Sequence, residues 1–465
     1  MEYDTLKDEL LSVSDTGIKY AKSLNPDAEF EIFVIYENNA VARIQQGVVS
    51  ANDGATAGNA VRVALNNRVG FASSSGVSAE RIKLSIKEAY EVVSSVDVLD
   101  ERFKSLPDPK PLGKEAEFDE KILDLGIDTL IKDCQDIVAD AASVSEKIHF
   151  VGSLATTAWG GYAVANSRGL IGATRYGNSG CSVNVQAKEN EERRGGFEFD
   201  YACHRLYQKE GLGQKASELA LSLLGAKKFE VTEKMKTVWT PFSAATYILA
   251  SVAQSTLGSP VVEGISPLCD MIGDTVGPSF LNIVDDGQAK HGLGTNAIDG
   301  EGLPQRRNPV IEKGILKSFL FDSYFGAAFG VDSTGNCDRT GGVFGGGAAY
   351  ENSPGVSTKF LEVSPGKNSL DDMIASIDGK AIMIFDFPIG IFHGSVATGE
   401  FSAVAASAFL IENGEKKYPI EPVSVAGNFY EGLKNLVEVG SDLTSIPYGI
   451  ANPSLVFDGF SVTNQ

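Results

Sequence analysis

The sequence predicts an α+β protein: an amino-terminal region of mixed α/β character to about residue 225, then a large, antiparallel, β-rich carboxy-terminal region. Three observations carry that expectation. Apolar residues in the first half recur alternately at helical and at strand spacing. From Lys236 onward, short strand-like runs are separated by glycine-rich turns. The composition, 43% apolar and 22% charged over 465 residues, is that of a globular chain long enough to build more than one core.

Leu6, Leu10, Val13, Tyr20 and Leu24 mark the stripe of a first helix, not the apolar block of a signal peptide. Phe30 to Tyr36 reads as a strand, and Ala60 to Ala64 and Arg68 to Ala72 as strand patterns about a turn at Asn66-Asn67. Ser78 is placed to cap a helix from Ala79 to about Ser94 that buries Ile82, Ile86, Ala89, Tyr90 and Val93. Leu106 to Gly113 holds three prolines and suits an extended connector. Helical spacing resumes through Leu123, Ile127, Leu130, Ile131, Cys134, Val138 and Ala141. Strand alternation returns at Ala163 to Arg168 and Ser182 to Ala187, followed by a helix from about Leu212 to Leu224. In the second half, Thr237 to Thr240, Phe280 to Val284, Ala381 to Phe385 and Leu455 to Phe457 read as strands. Gly341 to Gly347 is expected to be a mobile loop and lacks the lysine and Ser/Thr that a P-loop needs. These breaks divide the chain into regions 1–105, 114–225 and 232–465.

The charge balance, 40 Lys+Arg against 61 Asp+Glu, gives −21 and makes a phosphate backbone a poor partner. Five scattered cysteines without a CxxC spacing point to free thiols in a reducing cytosol. Nowhere do eighteen apolar residues run together, so a membrane span is not expected.

Candidate chemistry is sparse. Four histidines, His149, His204, His291 and His393, are far apart in sequence. Cys203 and His204, as neighbours in a strand, would face opposite ways and so share no metal. No GxSxG elbow occurs, and Gly177 to Cys181 reads as a turn between strands. Asp285, Asp286, Asp299 and Glu301 fall in glycine-rich surroundings, where they either gather around a hard cation or serve turns and caps. Paired acids of this kind also suit a glycosidase, and Arg306-Arg307 is placed to neutralise the cluster.

The carboxy-terminal half resembles the TldD/PmbA family, whose members are also called TldD/TldE proteins or modulators of DNA gyrase. The matching residues are Val284-Asp285-Asp286, Ile298 to Gly302, Ile311 to Leu316, Asp322-Ser323-Tyr324, Ser333 to Asn336, Ser364-Pro365-Gly366, Thr398 to Ser402, Ile411 to Gly414 and Ala426-Gly427-Asn428. Upstream, Arg62-Val63, Val69 to Ala72 and Asn166 to Gly169 fit as well. The resemblance implies a cytosolic metallopeptidase of two related subunits that degrades or trims unfolded or modified peptides. Zinc is held by the TldD-type subunit, through an HExxxH helix and a cysteine near the carboxy terminus. Histidines five apart do not align on a regular helix, so that helix is expected to carry an inserted residue.

This chain departs from the catalytic pattern. The corresponding helix, central to the carboxy-terminal region, is Pro241 to Gly258, where Ala250, Ser251 and Ser255 take the places of the first histidine, the glutamate and the second histidine. Alanine offers no lone pair, and a neutral serine is a poor zinc ligand and base. No cysteine follows Cys337. The resemblance therefore implies a TldE/PmbA-type chain with no catalytic, cofactor-binding or metal-binding residue of its own and with zinc only in a TldD-type partner, paired as a heterodimer. The alternatives are a homodimeric peptide-binding scaffold, a gyrase-modulating interaction protein, and an unrecognised site built from Cys203, His204, Cys337, His393 and the acids.

Overall fold

The alternation that begins at Phe30 runs much further than seven residues. In the computed structural model, which describes residues 1–230, 232–341 and 346–464, helix α1 (Tyr3–Leu24) leads into β1 (Glu29–Gln45), β2 (Val48–Leu65) and β3 (Arg68–Ser75). Asn66 and Asn67 have φ of 51° and 58°, the positive pair that a two-residue hairpin turn demands. Next come α2 (Ala79–Ser95), α3 (Ile127–Ser143), β4 (Ile148–Asn166), β5 (Ile171–Glu189), β6 (Glu192–Cys203) and α4 (Leu212–Ser222). Ser78 caps α2 by accepting from the Arg81 N–H.

The six strands form one antiparallel sheet in the order β3-β2-β1-β4-β5-β6. Strands from either side of the proline-rich connector thus share a single sheet. Side chains alternate across it. The helices cover one face: α1 and α2 bury Phe30, Ile32, Val34, Val61 and Val63, while α3 and α4 bury Ala40, Ala42, Ile44, Val183 and Val185. On the opposite face Phe33, Ile35, Tyr162 and Tyr176 pack against Ile298, Leu303 and Tyr350 from the second half.

That second half opens with β7 (Thr232–Trp239) and α5 (Pro241–Ile248). The strands that follow are β8 (Ile283–Asp286), β9 (Arg307–Glu312), β10 (Ile315–Leu316), β11 (Cys337–Asp338), β12 (Gly355–Val356), β13 (Leu361–Val363), β14 (Lys380–Ile384) and β15 (Glu400–Ala405). The last are β16 (Ala408–Glu412), β17 (Glu415–Ile420), β18 (Val423–Asn428), β19 (Leu436–Val439), β20 (Thr444–Ile446), β21 (Ile450–Asn452) and β22 (Leu455–Asn464). One sheet runs β15-β18-β22-β7-β14-β16-β17 with β19 beside β22, and another runs β10-β9-β8-β13-β21-β20. Most pairs are antiparallel; β7 with β14 and β13 with β21 are parallel. The α5 segment sits in the largest core, among Trp239, Ile384, Phe401, Phe429, Phe457 and Phe460. Among the described residues no helix is long and apolar enough to cross a membrane.

Several local expectations need correction. Gly177 to Cys181 is no turn but the middle of β5, paired with both β4 and β6. Its glycines make room for rings: a Cβ on Gly177 would lie 1.9 Å from Phe118 and one on Gly180 2.0 Å from Tyr201. The helix expected from Leu123 starts at Ile127, because Gly126 is its N-cap. Leu24, placed on the buried stripe of α1, is 38% exposed. His204 lies just past β6, with φ of 61°. Of the glycine run Gly341 to Gly347, residues 342–345 lie outside the described residues.

Candidate functional site

The fixed φ of proline suits the first position of a helix, where no N–H is needed. Pro241 takes that position in α5, behind Thr240, whose carbonyl accepts the Ala244 N–H at 2.8 Å. The helix then widens into a π turn over Leu249–Ala253 before closing as Gln254–Thr256. On a regular helix, positions five apart stand about 140° apart; the extra residue of a π turn brings them toward one face. That insertion is the one the histidine spacing of the resemblance calls for, and it falls on Ala250 and Ser251.

The side chains there are fully engaged in structure. Ala250, Ser251 and Ser255 are buried. Ser251 Oγ donates to the Tyr247 carbonyl at 2.6 Å, and Ser255 Oγ to the Ser251 carbonyl at 2.8 Å. Thr256 Oγ1 donates to the Val252 carbonyl at 2.7 Å, and Ser266 Oγ to that of Ser255 at 2.7 Å. These hydroxyls are spent on backbone carbonyls of the same segment. A methyl and two committed hydroxyls do not fit a zinc ion. Among the described residues no group of three or more His, Cys, Asp or Glu is arranged to hold a metal.

Of the two roles open to the acids, cation cage or turns and caps, the hydrogen bonds show local structural ties. Asp285, Asp299 and Glu301 are each 0% exposed, and each has its own set of donors. Asp285 accepts from Asn336 Nδ2 at 2.6 Å and from the Lys359 and Phe360 N–H groups at 2.8 and 3.0 Å. Asp299 accepts the N–H groups of Glu301, Leu303 and Cys337. Glu301 pairs with Arg62 at 2.7 Å and accepts from the Ser323 N–H and hydroxyl. Of the Arg306-Arg307 dipeptide, Arg307 pairs with Asp286 at 3.4 Å, so the expected neutralisation reaches that one acid. Glu301 is neutralised from elsewhere: Arg62 of β2 bridges Glu301 and Glu31 of β1, and Arg339 pairs with Glu31 at 2.5 Å while donating to the Gly300 carbonyl.

Burial, with the Glu301 charge beside it, pushes Asp299 up to about 7. Asp322, N-cap of the Ser323–Phe329 helix, is pushed up to about 7 by the same two causes. Burial opposes the charge of Glu301, but Arg62 and the Ser323 bonds outweigh it and hold that group below the usual carboxylate range. The signal for this network was present in the sequence: Glu31 interrupts the apolar run FEIFVIY and Arg62 interrupts AVRVA. A charge at an inward strand position implies a buried partner.

Beside the network lies a cavity of about 540 Å³, walled on the sheet side by Phe33, Ile35, Tyr162 and Tyr176 and on the other by Asn296, Gln305, Cys337, Arg339 and Lys359. Cys203 and Cys337 both line it. Burial raises the first thiol to about 11 and the second well above its ordinary value, so neither is a ready nucleophile. His204 is buried with neither ring nitrogen partnered, and burial lowers its pKa. His393 lies elsewhere, in a short 3₁₀ turn after β14, so the alternative catalytic set is not assembled. A second cavity, about 410 Å³, abuts the π turn at Leu249, Ala253 and Gln254. Asp338 lines both cavities, so β11 and β12 form the wall between them.

Residues 232–464 match the PmbA/TldA metallopeptidase C-terminal domain, and residues 120–224 the corresponding central domain. A metalloprotease of Methanocaldococcus jannaschii, MJ0996, is 26% identical over 416 residues, covering 87% of this chain and 88% of that protein. Metalloprotease PmbA of Escherichia coli O157:H7 is 26% identical over 398 residues, 82% of this chain and 80% of its own. Among solved structures, TldE from Thermococcus kodakarensis superposes with a TM-score of 0.88 at 22% identity, over 97% of this chain and 100% of that one. A Thermotoga maritima protein described as a modulator of DNA gyrase gives 0.84 at 21% identity, over 97% and 99%. With more than half of its length matched to two consecutive domains of one family, the chain belongs to the PmbA/TldD metallopeptidase family.

Proposed function

We propose that this chain is the non-catalytic, TldE-type subunit of a cytosolic two-subunit peptidase, paired with a TldD-type chain that carries the zinc and cleaves unfolded or modified peptides. The observation that carries the reading is the π turn holding Ala250 and Ser251, with Ser255 in the turn that follows and both serine hydroxyls committed to backbone carbonyls. A turn of this width brings positions five apart toward one face, and here those positions carry Ala250 and Ser255. The TldE likeness in fold supports the same assignment. A subunit of this kind would close over its partner's metal, admitting extended chains and excluding folded ones by size.

The test is reconstitution. Purified chain, alone and after loading with excess zinc and desalting, is expected to hold no stoichiometric zinc by elemental mass spectrometry. Mixed with a TldD-type partner, it is expected to co-elute with it and raise hydrolysis of an unfolded peptide. One zinc per chain, or partner activity indifferent to its presence, would overturn the assignment.

A further inference from the structure

β6 and β20 are the outermost strands of two different sheets, and they approach one another without pairing. Between them opens a pocket of about 720 Å³. Phe197 and Phe199 of β6, Phe242 of α5, and Phe385 and Phe387 after β14 supply its rings. Three of these form a closed trio: the centroids of Phe197, Phe199 and Phe242 lie 5.4, 5.8 and 5.6 Å apart. Among the described residues no lysine or arginine lies over any of them.

Asp386, between Phe385 and Phe387 in sequence, lines the same pocket, and its Oδ1 is buried without a hydrogen-bond partner. A carboxylate oxygen withdrawn from water with no donor is costly, and such orphans call for a reason. An aromatic ring carries a negative face and a carboxylate a negative charge, so both attract the same species. We propose that this pocket binds an organic cation, the ammonium or guanidinium end of a side chain or of a small molecule, with its charge on Asp386 and its carbon skeleton against the phenylalanine trio. An apolar occupant would leave the Asp386 charge without a counter-ion, and an anion would be repelled by it. The other charged groups on the wall are Glu198 of β6, half-buried and of favourable sign, and Lys215 of α4, which is exposed to solvent. Burial, relieved in part by Ser407 beside the carboxylate, places Asp386 at about 6, so it is mainly ionised at neutral pH and its contribution fades below that. The inference stands whether or not the chain is a partner subunit.

The experiment is calorimetric titration of the full chain at pH 7.5 with N-acetyl-lysine methylamide, its neutral counterpart N-acetyl-norleucine methylamide, and choline. The lysine derivative is expected to bind roughly tenfold more tightly than the norleucine one, the ratio set by one desolvated cation contact. Choline binding in preference to the lysine derivative would identify a free small cation as the source of the charge, and the reverse a polypeptide side chain. Asp386→Asn should erase the discrimination, and Phe199→Leu should weaken the lysine derivative severalfold while melting as the parent does. Equal affinity for lysine and norleucine derivatives, binding of none of the three, or discrimination that survives Asp386→Asn would overturn the proposal. If Asp386→Asn does not fold, titration of the parent chain at pH 5 replaces it: unchanged discrimination there would overturn it equally.

Discussion

Asp322 shows how a single carboxyl links sequence, burial and pH. Its ordinary position is near 3.9, and in the folded chain it stands at about 7, as does Asp299, both beside Glu301. A carboxyl raised on folding holds a proton that the unfolded chain has already released, so stability falls as pH rises through the window from about 4 to 7. Asn at position 322 would still accept the Phe325 N–H, now bonded at 2.8 Å, but cannot ionise. Asp322→Asn is therefore expected to make urea-unfolding stability fall less steeply between pH 4 and 7. An unchanged slope would show that Asp322 is charged in the folded state. At this scale much was legible: Glu31 and Arg62 stand out as charges inside apolar runs. Their partner Glu301 was visible only as one acid of a loop cluster, because nothing local marks a contact across 239 positions.

Elements were legible where periodicity and capping agreed. The Asn66-Asn67 turn, the Ser78 cap and the stripes of α2 and α3 follow from local chemistry. The middle of β5 did not, since Gly177 to Cys181 reads as a turn until the rings of Phe118 and Tyr201 that need the space are known. The π turn could be anticipated only through the histidine spacing of related chains; the residues of this chain carry no such mark. Close approach governs helix packing too: a Cβ on Gly213 of α4 would sit 2.5 Å from the Ala141 backbone nitrogen and 2.6 Å from the Ile137 carbonyl of α3. Neither can yield without moving a helix. Gly213→Ala is expected to lower the unfolding free energy by about 1–3 kcal/mol, as read by thermal melting; a neutral result would mean that α3 and α4 slide freely on the sheet.

At the scale of the molecule, the amino-terminal sheet is bound to the second half through a charged core as well as an apolar one. Arg62 is the hinge pin of that contact, joining Glu31 of its own sheet to Glu301 of the other part. Removing one member of a buried ion network strands the rest, so Arg62→Leu is expected to cost about 3–5 kcal/mol in denaturant unfolding. A loss under about 1 kcal/mol would mean that water already reaches the network. Strand order was the part least legible, since no periodicity announces that β22 lies between β18 and β7. That central position has a consequence for biosynthesis. β7 begins at Thr232, yet its neighbour ends at Asn464, so the sheet lacks an interior strand until the last of those residues leaves the ribosome. The amino-terminal sheet can form early in translation; the carboxy-terminal half must wait until β22 has emerged, exposing Trp239, Tyr247 and their aromatic neighbours, and that interval is where the nascent chain most needs a chaperone.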